Sequence, residues 1–215
     1  MRAGLASLDA RSRILDHPSI IEEQPSSLTE RIAQRVRELR AARGLSLDEL
    51  AALGGVSRSM ISLIERGESS PTAVLLEKLA AGLGVPLASL FDSPTPRAEP
   101  VSRLAEQVSW RDPESGYVRR NVSPGGFASP IQIVEVSFPA GARVAYETGA
   151  RQPRVHQQVW VFEGAIDVTL GEDRHRLAVG DCLAMVLDRP ITYHNPTRKR
   201  ARYAVVIATE TGAWR

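Results

Sequence analysis

The hydrophobic period of this chain changes once along its length, and that change constrains the fold more than any other feature. From Leu28 to Phe91 the apolar residues recur every three to four positions, as one face of a helix requires. Beyond residue 100 they alternate with a period of two in short β-branched runs. The regimes meet in DSPTPRAEP, residues 92–100, where three prolines in nine residues cannot continue a helix and favour an extended spacer. A length of 215 residues accommodates two small domains. The expected organisation is a flexible tail over 1–27, an all-α unit over 28–92, a Pro-rich linker over 93–100 and an all-β unit over 101–215.

Five helices are expected in the first unit. TERIAQRVRELRAARG places Ile32, Val36 and Leu39 on one face, with Thr29 as N-cap and Gly44 as the stop. SLDELAALGG is capped by Ser46, with Glu49 in the capping-box position. SRSMISLIERG is capped by Ser57 and closed by Gly67, and TAVLLEKLAAGLG starts at Thr72 or the serine before the proline. VPLASLF supplies the fifth, short helix. In the second unit, IQIVEVSF, VWVF, AIDVTL, CLAMVL and ARYAVVIA read as strands separated by the turns PAGA, FEG, LGED and AVGD. Many short strands with regular turns point to an antiparallel sandwich or barrel.

Several classes of protein are excluded at this stage. Cys182 is the only cysteine, so no internal disulfide forms, which suits a reducing cytoplasm. No apolar run approaches the ~18 residues of a membrane helix, and the mixed charges of the first 27 residues make a poor signal peptide. The net charge of +2 rules out a polycation. Basic residues nevertheless gather locally: Arg31, Arg35, Arg37, Arg40, Arg43, Arg58 and Arg66 face only Glu38, Asp48, Glu49 and Glu65 over the same stretch. Charge alone fits a solvated helix face as well as a nucleic-acid surface, so the motif has to decide.

The span GLSLDELAALGGVSRSMISLIERGESSPTAVLLEKLAAGLGVPLASLFD resembles the XRE, phage-repressor-like helix-turn-helix family. The resemblance covers Leu28 to about Asp92. It is carried by the Leu-Ala pair of the second helix, Gly55 in the turn, Ile61 and Ile64 in the third helix, the ERGESSP closure and the LGV before the fifth helix. It implies a third helix that enters the DNA groove, with Ser57, Arg58, Ser59, Ser62 and Arg66 outward. Small hydroxyls there allow close approach, and arginine can reach a guanine edge or a phosphate. Leu47 stands where many members of the family carry glutamine, so from the second helix only Ser46 is carried over, as a phosphate contact.

The strand half resembles a cupin, a double-stranded β-helix or jelly roll, through VWVFEGAIDVTLGEDRHRLAVGDCLAMVLDRPITYHNP. Metal-binding members carry two histidines two residues apart, a glutamate seven residues before the Glu-Gly glycine, and a histidine four residues before the Asn-Pro asparagine. Counted from Gly164 and Asn195, those last two positions hold Gln157 and Ile191, and ARQPR (150–154) contains no histidine. His156 and His194 are each out of register, and in a strand a shift of one residue turns a side chain to the other face. A transition metal needs three or four converging donors. No metal or other cofactor is therefore expected, although His156, His175, His194 and Cys182 remain as an unconventional donor set. The concave mouth of such a fold is a common ligand site. Gln157, Val159, Val161, Ile191 and Tyr193 are expected to line it, with Arg151, Arg154, His156 and Trp160 at its rim or within it.

The reading is a non-enzymatic cytoplasmic transcriptional regulator that binds a double-stranded DNA operator as a homodimer, without membrane association. A small-molecule effector of unknown identity is expected in the strand half, which serves otherwise for dimerisation. The alternative is a cupin enzyme, isomerase- or dioxygenase-like, with an accessory DNA-binding domain. Because the proline spacer transmits force poorly along the chain, the effector's signal is expected to act through dimer geometry, on the ~34 Å spacing of two recognition helices.

Overall fold

A computed structural model describes residues 25–91, 99–127, 129–149 and 154–210. Four α-helices come first: α1 (Pro25–Ala42), α2 (Leu47–Gly54), α3 (Arg58–Glu65) and α4 (Ala73–Gly82). The expected fifth helix is a 3-10 turn, Leu87–Phe91, in which the Ser89 amide bonds back only three residues to Pro86 O. Five residues are too few to build an α-helical ladder. Thr29 lies inside α1 and does not cap it, because the helix already runs from Pro25. Proline is tolerated in a first helical turn, where its missing N–H costs no bond.

The local signals at α2, α3 and α4 act as capping chemistry predicts. Ser46 and Glu49 close a reciprocal capping box, and the Ser57 and Thr72 hydroxyls accept from the amides of Met60 and Leu75. Gly55 ends α2 with φ of 61°, a left-handed conformation open to glycine at little cost. Ile32, Val36, Leu50, Ile61, Ile64, Leu76 and Leu79 form the buried centre. α2 and α4 touch through glycines: a Cβ on Gly82 would stand 2.9 Å from the Gly54 amide nitrogen. One buried ion pair pins α1 to α3, with Arg40 Nε and Nη2 donating to the two Glu65 carboxylate oxygens at 2.6 and 2.7 Å.

Among the described residues the second half contains ten strands: β1 (Ser109–Arg111), β2 (Val118–Asn121), β3 (Ile131–Phe138), β4 (Arg143–Tyr146), β5 (Val155–Glu163), β6 (Ala165–Leu170), β7 (Asp173–Ala178), β8 (Cys182–Val186), β9 (Ile191–His194) and β10 (Ala201–Thr209). They form two antiparallel sheets, ordered β1-β2-β3-β10-β5-β8 and β4-β9-β6-β7. Tyr203 of β10 stands opposite Val136 and Val161, and Val205 opposite Val134 and Val159, so alternate residues of three strands turn the same way. Phe138, Ile166 and Val168 are buried with them. Asn195, fully buried, donates to the carbonyls of Phe138, Pro139 and Lys199 and ties the β9–β10 connection to β3. The five strands not expected from the sequence, β1, β2, β4, β7 and β9, are short or exposed; β7 buries only Leu177.

The two halves are in direct contact. Asp112, buried in the β1–β2 turn, accepts from the Ala73 amide at the start of α4 through Oδ1 (2.9 Å), and from Ser115 N through Oδ2 (2.8 Å). Phe91 of the 3-10 turn meets Trp110 of β1 with ring centroids 5.7 Å apart. A carboxylate at a helix N-terminus satisfies an amide that has no partner within the helix and complements the positive end of its dipole. Asp112→Ala should therefore destabilise the junction by about 1–2 kcal/mol. Amide hydrogen exchange checks it: protection at Ala73–Leu76 should fall while the β3–β10–β5 core stays protected.

A candidate nucleic-acid interface and a cavity at the domain junction

α3 packs on α1 and α2 through Ile61 and Ile64, which leaves Ser57, Arg58, Ser59 and Arg66 exposed and Ser62 half-buried. The residues that resemblance marked for DNA contact are not equally available. Arg66 donates to both Glu68 carboxylate oxygens at 2.7 and 2.8 Å and also to Ser62 Oγ, so this arginine and this hydroxyl are already engaged. Among the described residues Arg58 pairs with Asp48 alone, at 3.3 Å, in a pair whose side chains are both largely in water. An exposed pair of that kind contributes little and exchanges readily for a phosphate. The Ser46 and Ser57 hydroxyls accept capping bonds, which leaves their protons free to donate outward; Ser57 and Ser59 oxygens lie 3.2 Å apart.

The second feature is a cavity of about 280 Å³ at the mouth of the strand sandwich. Its walls come from both sheets, through Val136, Tyr203, Val205 and Ile207 on one side and Val144, Tyr146, Ile191 and Tyr193 on the other. Its roof belongs to the helical half: Glu77 and Ala81 of α4, then Gly84, Val85, Pro86 and Leu87. The cavity is mainly apolar, and several of its polar side chains are hydrogen-bonded. Tyr193 Oη donates to Gln157 Oε1 at 2.8 Å, the Tyr117 and Tyr146 hydroxyls are 3.2 Å apart, and Thr148 donates to the Arg189 carbonyl. Aromatic rings run from the helical half into this wall, Phe91 to Trp110 to Tyr117 to Phe138 to Tyr203 to Tyr193, at centroid separations of 5.7 to 6.1 Å.

Gln157, Ile191 and Tyr193 are in the lining. Val159 and Val161 share the Gln157 side of β5 but are fully packed and lie outside the lining, in the closed part of the core. His156 is on the opposite face of β5 and bonds Glu210 at 2.8 Å; Trp160 is likewise outward and half exposed, and neither lines the cavity. Arg154 is exposed, and Arg151 lies outside the described residues. Sequence reasoning missed most of the lining, above all Arg119 and the roof. Arg119 is hidden in VRRN, where no hydrophobic alternation marks which arginine turns inward, and the roof comes from a distant part of the chain.

The cupin resemblance raises the matter of a metal. The inward positions carry an amide, an isoleucine and tyrosines, while His194 alternates with inward Tyr193 and is not in the lining. Among the described residues no three His, Cys, Asp or Glu side chains converge. The donor set does not fit a first-row transition metal.

Comparison with known proteins concerns both halves of the chain. The helix-turn-helix family model HTH_3 matches residues 36–90. Over 165 residues the chain is 31% identical to the HTH-type transcriptional regulator SutR of Escherichia coli K12, covering 76% of this chain and 86% of that protein. It is 26% identical over 163 residues to the HTH-type transcriptional regulator PuuR of the same organism, covering 75% of this chain and 86% of PuuR. Among solved structures, an HTH_3 family transcriptional regulator from Vibrio cholerae superposes with a TM-score of 0.71 at 28% identity, over 86% of this chain and 99% of that one. These three matches extend well beyond the helical half.

All four tyrosines of the chain line the cavity, which gives it a private spectroscopic signal. Burial disfavours the phenolate, pushing Tyr117 from 10.0 up to about 12 and raising Tyr146, Tyr193 and Tyr203 as well. Because the folded values exceed the unfolded one, this stabilisation is whole below pH 10 and is lost as the pH climbs through about 12. Tyrosinate absorbance should therefore stay silent at pH 10.5 while circular dichroism remains native, then appear with unfolding at higher pH. Titration of the tyrosines near pH 10 in the native protein would mean that the cavity is open to water.

Proposed function

The chain belongs to the HTH-type transcriptional regulators, and from that premise we propose that α3 reads operator DNA under the control of a small molecule held in the junction cavity. The observation that carries this reading is that the cavity is walled by a cupin-like sandwich and roofed by the DNA-binding half itself. A ligand shifts an equilibrium only when it binds two states with different affinity. Here a state in which α4 parts from the sandwich loses the roof, so ligand affinity and domain docking are linked. This route is shorter than the transmission through dimer geometry suggested by the proline spacer, and it bypasses that spacer.

A single recognition helix reads few base pairs, so the regulator acts as a homodimer on a two-fold operator. The outer face of the six-stranded sheet, with exposed Ile131, Ile133 and Trp160, supports such pairing. No helix among the described residues is long and apolar enough to cross a membrane.

Two experiments test this. Operators selected from random duplexes should bind two chains each, and Arg58→Ala should weaken binding by about 1–3 kcal/mol if the arginine reads a base edge. A phosphate contact would instead weaken all sequences alike and reduce the salt dependence. Unchanged gel-shift affinity at both low and high salt would remove Arg58 from the interface. Separately, Ile207→Phe fills part of the cavity from β10 and should alter operator affinity within the ~5–150-fold range of allosteric coupling. Equal affinity in a folded Ile207→Phe protein would reduce the cavity to a packing feature.

A further inference from the structure

Arg119 of β2 stands opposite Trp110 and Val136, lines the cavity, and is only 7% exposed. Its Nε and Nη2 are sealed from solvent and meet no hydrogen-bond acceptor. The nearby Phe91 ring, 5.7 Å from the guanidinium carbon, offers a π face and no lone pair. The Tyr117–Tyr146, Tyr193–Gln157 and Thr148–Arg189 contacts engage several of the lining's other polar groups, and no acceptor of the lining reaches Arg119 Nε or Nη2. A buried guanidinium with unanswered donors is costly, since arginine does not discharge its proton. Such a group is retained where a partner arrives from outside, and the partner that suits its planar fork is a carboxylate.

Resting on the reading of this cavity as an effector site, we propose that its ligand is a compact organic monoanion, with a carboxylate held by Arg119 and a hydrocarbon body packed against the apolar walls. The volume, about 280 Å³, lies just below the ~300–1,000 Å³ range of pockets for drug-sized ligands, which suits a small one. Val136, Val205, Ile207 and Ile191 offer the body no polar contact. Glu77 on the roof contributes a carboxylate of its own to the lining, which disfavours a second anionic group on the ligand. The proposal also makes Arg119 a hinge between the two halves: its guanidinium lies between Phe91 of the 3-10 turn and the cavity, so an anion arriving there draws on the same side chain that contacts the DNA-binding half.

The test uses the 215-residue chain and three probes with the same six-carbon chain, hexanoate, its isostere hexanamide and the cationic hexylamine, measured by calorimetric titration and thermal shift. Hexanoate should bind the wild type at least tenfold tighter than either neutral or cationic probe, and Arg119→Gln should erase that difference. Without ligand, Arg119→Met should melt at a higher temperature than the wild type, because a desolvated cation is replaced by an apolar chain of similar length. If hexanamide or hexylamine binds as well as hexanoate, or if Arg119→Gln retains the preference, the anion assignment is overturned while the cavity stands as a ligand site. If none of the three binds but Ile207→Phe still changes operator affinity, the assignment alone falls. If none binds and Ile207→Phe leaves operator affinity unchanged, the effector reading falls with it. A lower ligand-free melting temperature for Arg119→Met would make the side chain a structural contact and overturn the assignment independently of any probe.

Discussion

Asp112 holds the N-terminus of α4, and the position of everything above the cavity follows from that contact. Its carboxylate takes the Ala73 amide on one oxygen and Ser115 on the other, and it is buried in doing so. The helix end supplies donors without internal partners and the turn supplies the charge that answers them. With its first turn fixed to the strand half, α4 can only lie across the sandwich mouth, where Glu77 and Ala81 close the cavity. Its far end meets α2 backbone to backbone at Gly54 and Gly82, too close for a Cβ. Thus α4 is shared: one end and one side belong to the sandwich, the other to the helix-turn-helix.

This sharing gives the recognition helix a mechanical address. α3 is pinned to α1 by the Arg40–Glu65 pair, an arginine fork meeting both oxygens of a buried carboxylate, and Arg37 adds a bond to the Glu65 carbonyl. Glu65 also ends α3, so the pin sits next to the turn that leads to α4. Removing one partner of such a pair leaves the other charge desolvated, which is why the contact fixes geometry more than it adds net stability. A displacement of α4 relative to the sandwich therefore carries α2 and α3 with it as a packed unit.

How much of this is legible in the sequence depends on how local the physics is. The caps at Ser46 and Ser57 follow from three or four adjacent residues, and reading them needs no tertiary knowledge. The inward orientation of Gln157 and Ile191 is also readable, because strand alternation can be counted from the fixed turns at Gly164 and Asn195. The same counting turns His156 outward, onto Glu210. It fails for Val159 and Val161, which share the face of Gln157 but lie where the sandwich is already filled. Alternation gives the face of a side chain and says nothing of where along that face the empty space lies. Arg119 and Asp112 are illegible for a different reason: each is one polar residue in a short polar strand or turn, and its role is set by Phe91 or Ala73, dozens of residues earlier. The roof over the cavity is the extreme case, since residues 77–87 and 117–209 are brought together only by tertiary contact between the halves.

The two arginines that matter most differ only in their surroundings, and those surroundings assign them opposite behaviour. Arg58 sits in water beside Asp48, where its Coulomb interaction is screened within about 10 Å at ordinary ionic strength and its partner can be exchanged. That is the behaviour a DNA-contacting side chain needs, because phosphates and base edges must displace the resting partner at little cost. Arg119 sits among apolar walls and tyrosines that burial keeps neutral, where an opposite charge at the same distance is attracted several times more strongly. There the interaction is insensitive to salt and demanding of geometry, which suits the selection of one small molecule from many. Between the two runs the chain of contacts from Phe91 through α4 and α2 to α3, and on the proposed reading its stiffness sets how far a ligand at the buried charge is felt at the exposed one.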